Sequence, residues 1–155
     1  VIMTPGGNGM YIDAYQGDQK IEPVAIGGYT TLEKTYSYNP VPDTLVAMGK
    51  AHHILGVQAN TWAEYMYTND IREYRTYPRA VALAEIAWTQ LDKKDYKDFE
   101  RRMNNAYVRL DGVGVNYHIP DNITYLPLTP YYTTNNYQSM MRLFILIVVL
   151  HIIST

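Results

Sequence analysis

Ile54-Leu55-Gly56-Val57-Gln58-Ala59-Asn60-Thr61-Trp62-Ala63-Glu64 is the stretch that decides the fold. Ile54, Leu55 and Val57 make a compact apolar run of strand length, which predicts a buried strand between about His53 and Asn60. Trp62 and Glu64 follow at once, so both fall at the C-terminal end of that strand. In parallel α/β folds this is the end at which ligand sites collect.

Working outward, Val1 to Thr4 is a second short extended run, stopped by Pro5, Gly6, Gly7, Asn8 and Gly9, all turn formers. Tyr11 and Asp13 lie on the loop beyond it or just past it. From Ala25 to Tyr38 little regular structure is expected apart from a single helical turn over Thr31 to Lys34, and residues 42–50 suit a short helix or turn. Downstream, Val81, Ala84, Trp88 and Leu91 recur every three or four residues and predict a helix over 77–91, with Pro78 accepted in its first turn. Tyr96, Phe99, Met103, Tyr107 and Leu110 predict a second helix over 94–110, stopped by Gly112. Strand, loop, strand, helix, helix is a piece of a parallel α/β architecture.

Composition narrows the function classes. The 155 residues suffice for one domain, and a net charge of −2 without any Lys/Arg block argues against nucleic acid as a partner. The absence of cysteine removes disulfides and Cys-based zinc sites without fixing the compartment. Sixteen Tyr stand against two Phe. Rings that also carry a hydroxyl suit sugars, whose CH faces stack while their hydroxyls hydrogen-bond, although Tyr also fills the walls and loops of many enzymes. His52 and His53 are neighbours and are expected to point apart, which speaks against a shared metal site. No cofactor is expected.

Three segments together resemble the family 20 glycoside hydrolases, the β-N-acetylhexosaminidases, and most closely their bacterial members. They are Val1-Ile-Met-Thr-Pro5 with Tyr11-Ile12-Asp13, then Glu22-Pro23 through Tyr36-Ser37-Tyr38 and Pro40, and finally the Ile54 to Glu64 stretch with Tyr77-Pro78-Arg79 and Leu83-Ala84-Glu85-Ile86-Ala87-Trp88. The resemblance covers residues 1–118. It implies a (β/α)₈ barrel, an α/β fold of the TIM type, of which this chain is the C-terminal part with the last two βα units. Residues 119–155 form an unrecognised apolar tail.

The resemblance also implies a retaining, substrate-assisted hydrolysis of terminal β-linked N-acetylglucosamine or N-acetylgalactosamine from glycans, one of the exceptions to the two-carboxylate scheme. In that chemistry a Glu is the general acid and the adjacent Asp orients the acetamido group, yet no Asp-Glu dipeptide occurs in this chain. What it carries matches the opposite wall of the pocket. Tyr11 matches the tyrosine that donates to the acetamido oxygen, and Trp62 a tryptophan lining the acetamido pocket. Asp13 and Glu64 match the carboxylates that accept from the sugar's 4- and 6-hydroxyls. The other notable side chains take the plainer structural reading: Tyr36, Tyr38 and Tyr77 are expected to fill the layer between barrel and helices, Trp88 to pack in the core, and Arg79 and Glu85 to make structural polar contacts rather than touch substrate. Two departures bear on Tyr11: residues 6–10 are glycine-rich where more bulk is usual, and Ala14 stands where a larger residue is common, changes expected to loosen its position.

The alternative is a non-catalytic sugar-binding or structural fragment. The chain opens at Val1 within an apolar stretch, without an initiator Met or leader pattern, as a segment of a longer protein does. Its expected partners are N-acetylhexosamine glycans and either the missing N-terminal part of the barrel or a second copy. A bacterial parent would be periplasmic or secreted. The aliphatic run over 143–153 is too short to span a bilayer and is expected to pack as a buried strand or to be a non-native extension.

Overall fold

The computed structural model describes residues 1–120. The expected tail and its aliphatic run, beyond Pro120, lie outside the described residues. Two short strands, β1 (Ile2–Met3) and β2 (Gly56–Val57), pair in parallel with Ile2 opposite Gly56 and Met3 opposite Val57. Parallel pairing requires a long crossover, and residues 4–55 provide it. Farther along the same two segments, Tyr11 bridges Asn60 in parallel, and a further parallel bridge joins Tyr15 to Tyr29.

Helices make most of the regular structure among the described residues. They are α1 (Leu32–Ser37), α2 (Asp43–Ala47), α3 (Asn69–Thr76), α4 (Arg79–Trp88) and α5 (Tyr96–Gly112). Three begin at side-chain caps, where an oxygen accepts from a backbone N–H that the helix leaves without a partner. Thr31 accepts from the N–H of Lys34, Thr68 from Ile71, and Asp95 from Asp98. The single turn expected at Thr31 to Lys34 is thus the start of a six-residue helix.

α5 follows its stripe: Phe99, Met103, Tyr107 and Leu110 are buried and Tyr96 packs against the same core. It ends at Gly112, the expected stop, and the chain turns at Gly114, whose φ of +67° suits a residue without a side chain. The core beneath it joins Met10, Leu32, Tyr36, Ala82 and Ile86. Tyr36 stacks on Phe99 with centroids 4.7 Å apart, and Tyr38 is also buried, while Tyr77 is partly buried against this cluster.

The reading of 77–91 as one helix needs correction. Pro78 caps α4 from outside, after a cis Tyr77–Pro78 bond, and Trp88 is its last residue. The buried row is Arg79, Ala82 and Ile86, so the expected face is rotated: Val81 and Ala84 are half-buried, and Trp88 is 61% exposed. Arg79 turns the helix. Its guanidinium is buried against backbone carbonyls, a role that a count of apolar positions misses. α3 precedes α4 and has no counterpart in the expected elements, because Asn69–Thr76 is mostly polar, with only Ile71 and Tyr74 to mark a buried face. The His52 and His53 rings, expected to point apart, lie with centroids 4.2 Å apart on a short helical turn. Among the described residues no group of three metal-ligating side chains forms, and no helix is long and apolar enough to cross a membrane.

Candidate active site

Beyond the two paired strands the chain segments run on side by side and bring three of the four expected site residues together. Ile12 donates its N–H to the carbonyl of Asn60 at 2.9 Å, and Asn60 donates to Met10 at 2.7 Å. This ladder sets Tyr11 beside Trp62, ring edge to ring face, with centroids 6.5 Å apart and planes at 81°. Both rings remain open, Tyr11 at 42% and Trp62 at 53% exposure. Asp13 differs, being 4% exposed. Its Oδ2 accepts from the backbone N–H of Trp62 at 3.2 Å, and among the described residues Oδ1 has no protein partner. Glu64 follows on the short turn Ala63–Tyr65 and is exposed.

The loop before Tyr11 is built for the position of its ring. A Cβ at Gly6 would lie 2.6 Å from Cε2 and 2.7 Å from Cδ2 of Tyr11, closer than any real contact, so the ring rests directly on the glycine. The glycine-rich stretch, expected to loosen Tyr11, therefore seats it. Gly9, at φ +88°, approaches the backbone of Lys34 and Thr35 so closely that a Cβ would come within 3.1 Å, and Thr35 Oγ1 donates to its carbonyl at 3.0 Å. The loop is thereby pinned to α1 and Met10 is driven fully into the core.

Ala14 is buried and its carbonyl accepts from two arginines, Arg79 at 3.0 Å and Arg75 at 3.3 Å. Arg79 also donates to the carbonyls of Thr30 at 2.8 Å, Ile12 at 2.6 Å and Arg75 at 2.6 Å. Burial, and then the nearby Arg75 charge, pull the Arg79 guanidinium down to about 9, so it is still cationic at neutral pH. Arg75 pairs with Glu22 at 2.7 Å, donates to the Pro23 carbonyl, and lies 5.0 Å from the centre of the Tyr15 ring. Glu22 in turn accepts from the backbone N–H groups of Gln16 and Gly17. Sequence reasoning missed Arg75 and the buried part played by Glu22. The available signal was two arginines four apart running into an otherwise apolar helix.

Residues 1–91 match the catalytic domain of glycosyl hydrolase family 20. The chain belongs to this family. It is 59% identical over 120 residues to a beta-hexosaminidase of Porphyromonas gingivalis, an alignment that takes in 77% of this chain and 15% of that protein. A family 20 exo beta-N-acetylglucosaminidase from Vibrio harveyi, solved in complex with N-acetylglucosamine, superposes with a TM-score of 0.64 at 28% identity, covering 74% of this chain and 18% of that one. Another family 20 beta-N-acetylglucosaminidase superposes with a TM-score of 0.67 at 25% identity, over 81% of this chain and 26% of that chain. These structural relatives are TIM-barrel enzymes, and the described part of this chain is a mostly helical portion of such a fold. The chain spans about 15% of the length of that Porphyromonas gingivalis relative.

Proposed function

We propose that this chain is the C-terminal part of the catalytic barrel of a retaining β-N-acetylhexosaminidase that removes terminal β-linked N-acetylglucosamine or N-acetylgalactosamine from glycans. Residues 1–118 supply the last two βα units and one wall of the sugar pocket, and residues 119–155 are a tail outside that unit. The observation that carries the reading is the corner formed by Tyr11 and Trp62, two open rings at right angles with the buried Asp13 carboxylate tied to the Trp62 backbone. A right-angled aromatic corner next to a carboxylate fits an acetamido group and the hydroxyls of the same ring.

In the substrate-assisted mechanism the acetamido oxygen attacks its own anomeric carbon as the glycosidic bond breaks, and the leaving oxygen takes a proton from a Glu in the remainder of the parent. Tyr11 donates to the acetamido oxygen, holding it toward the anomeric carbon and stabilising the charge redistribution. Trp62 walls off the acetamido methyl from water. Asp13 and Glu64 accept from the 4- and 6-hydroxyls, so they fix the ring without touching the bond that breaks. Water then opens the oxazolinium-type intermediate from the vacated face, which retains configuration. The chain needs no cofactor for this, and its partners are the glycan and the rest of the barrel or, lacking it, a second copy.

The test is hydrolysis of a chromogenic N-acetyl-β-glucosaminide by the full-length parent. Tyr11→Phe should lower kcat by about 100-fold, equivalent to about 3 kcal/mol of barrier, as when one oxyanion-type donor is removed. Gly6→Ala displaces the same ring and should lower kcat in the same sense with the hydroxyl still present. Trp62→Ala should weaken N-acetyl sugars far more than their 2-hydroxy analogues. Equal losses for both sugar types would place Trp62 in a packing role, and turnover by residues 1–155 alone would refute the division of labour.

A further inference from the structure

Asp13 is held from two sides, and only the front side belongs to the pocket. In front, its Oδ2 meets the Trp62 N–H, and the Ile12 N–H meets Asn60. Behind, one guanidinium spans the residue: Arg79 Nη2 donates to the Ile12 carbonyl at 2.6 Å and Nη1 to the Ala14 carbonyl at 3.0 Å, the carbonyls on either side of Asp13. The same Nη1 reaches Thr30 at 2.8 Å on the neighbouring segment, and Nη2 reaches the carbonyl of Arg75 at 2.6 Å, which anchors the fork to the end of α3.

We propose that Arg79 is a positioning residue for sugar binding, a buried fork that sets the backbone on both sides of Asp13 and so aims its carboxylate at the sugar hydroxyl. This rests on the reading of Asp13 as a hydroxyl acceptor. A fully buried charge is an expensive way to fill a core, because taking it out of water costs several kcal/mol. What the guanidinium adds is geometry. Its rigid planar donors fix two carbonyls relative to each other, which neither a methionine nor a single ammonium point charge does. Asp13 has an acceptor oxygen, Oδ1, buried without a protein partner among the described residues, and a buried carboxylate oxygen kept open is useful only if it stays aimed. Arg75 reinforces the fork at the Ala14 carbonyl while Glu22 balances its charge.

The test compares Arg79→Lys with Asp13→Asn in the full-length parent, using a chromogenic N-acetyl-β-glucosaminide and its 4-deoxy and 6-deoxy analogues. The readout is the ratio of kcat/KM between substrates, which does not depend on the folded fraction. Asp13→Asn identifies the analogue that lacks the hydroxyl Asp13 accepts, because that analogue is spared. Arg79→Lys should spare the same analogue, losing about tenfold more on the intact sugar than on it, as expected for a displacement of well under an ångström to an ångström in a binding group. If Arg79→Lys gives no folded enzyme, Arg79→Gln, which keeps an amide donor without the buried charge, carries the same comparison. An Arg79 variant that lowers all three substrates by one common factor, or changes none, overturns the proposal. A wild-type parent that hydrolyses none of the three defeats the functional reading itself, and that outcome is read before any variant is made.

Discussion

The described structure holds two arginine clusters, and the same side chain behaves differently in each. Arg75 and Arg79 are sealed behind the candidate pocket, with Glu22 as carboxylate partner and backbone carbonyls as the main acceptors. Arg101 and Arg102 lie on α5, where Arg102 bridges Asp98 at 2.8 Å and Glu85 at 2.5 Å while 41% exposed. Burial pulls Arg79 down to about 9. Hydrogen bonds that it donates to Glu85 and then to Asp98 push Arg102 upward instead. The lesson is that desolvation, not the number of ionic contacts, decides how much rides on a guanidinium.

The largest effect should come from Arg79→Met in the full-length parent. It strands the carbonyls of Ile12, Thr30 and Arg75 and leaves that of Ala14 only its 3.3 Å bond from Arg75; each stranded group loses roughly 1–3 kcal/mol of hydrogen bonding, together a large part of an ordinary domain's stability of about 5–15 kcal/mol. The expected outcome is loss of a cooperative thermal transition. A melt shifted by only a few degrees would mean that water or a backbone shift replaces the fork.

Next comes Glu22→Gln, which leaves Arg75 buried with its charge unbalanced. Breaking a buried pair this way costs about 3–5 kcal/mol, read as a drop in the urea midpoint. The matched change in the more open cluster, Glu85→Gln, leaves Arg102, itself 41% exposed, its second carboxylate and access to water, and should cost less, about 1 kcal/mol. Equal costs for the two would break the comparison.

The contrast also marks what was legible in the sequence. α5 was, because Phe99, Met103, Tyr107 and Leu110 repeat at helical spacing and are the residues it buries. α4 was placed but turned wrongly, since its innermost side chain is an arginine and its terminal tryptophan faces outward. α3 was invisible, a polar helix recognisable only by the Thr68 cap and by Arg75. At the site, Tyr11, Asp13, Trp62 and Glu64 came from family resemblance, and no local pattern brings Tyr11 to Trp62. That meeting depends on a non-local register, Met3 on Val57 and then Tyr11 on Asn60, with the turn at Gly6–Asn8 taking residues out of line between them. Gly6 itself reads as a generic turn former until the Tyr11 ring is seen lying on it.

The smallest expected effect is at Asp98, and it isolates the surface cluster by pH. Hydrogen bonds from Arg102 and then Arg101 hold its carboxyl below the usual carboxylate range. A carboxyl depressed in the folded state contributes stability that is fully present above its unfolded value of about 3.9 and is lost as pH falls through the lower folded value. Wild type and Asp98→Asn should therefore differ slightly at neutral pH, begin to approach each other below the unfolded value and converge only below the lower folded value. Because these groups face water, added salt should narrow the neutral-pH gap as well. Thermal melts of both proteins across pH 2–7 at low and high salt provide the measurement. A gap at neutral pH as large as that for Glu22→Gln, insensitive to salt, would show that Asp98 behaves as a buried partner and that exposure does not separate the two arginine clusters.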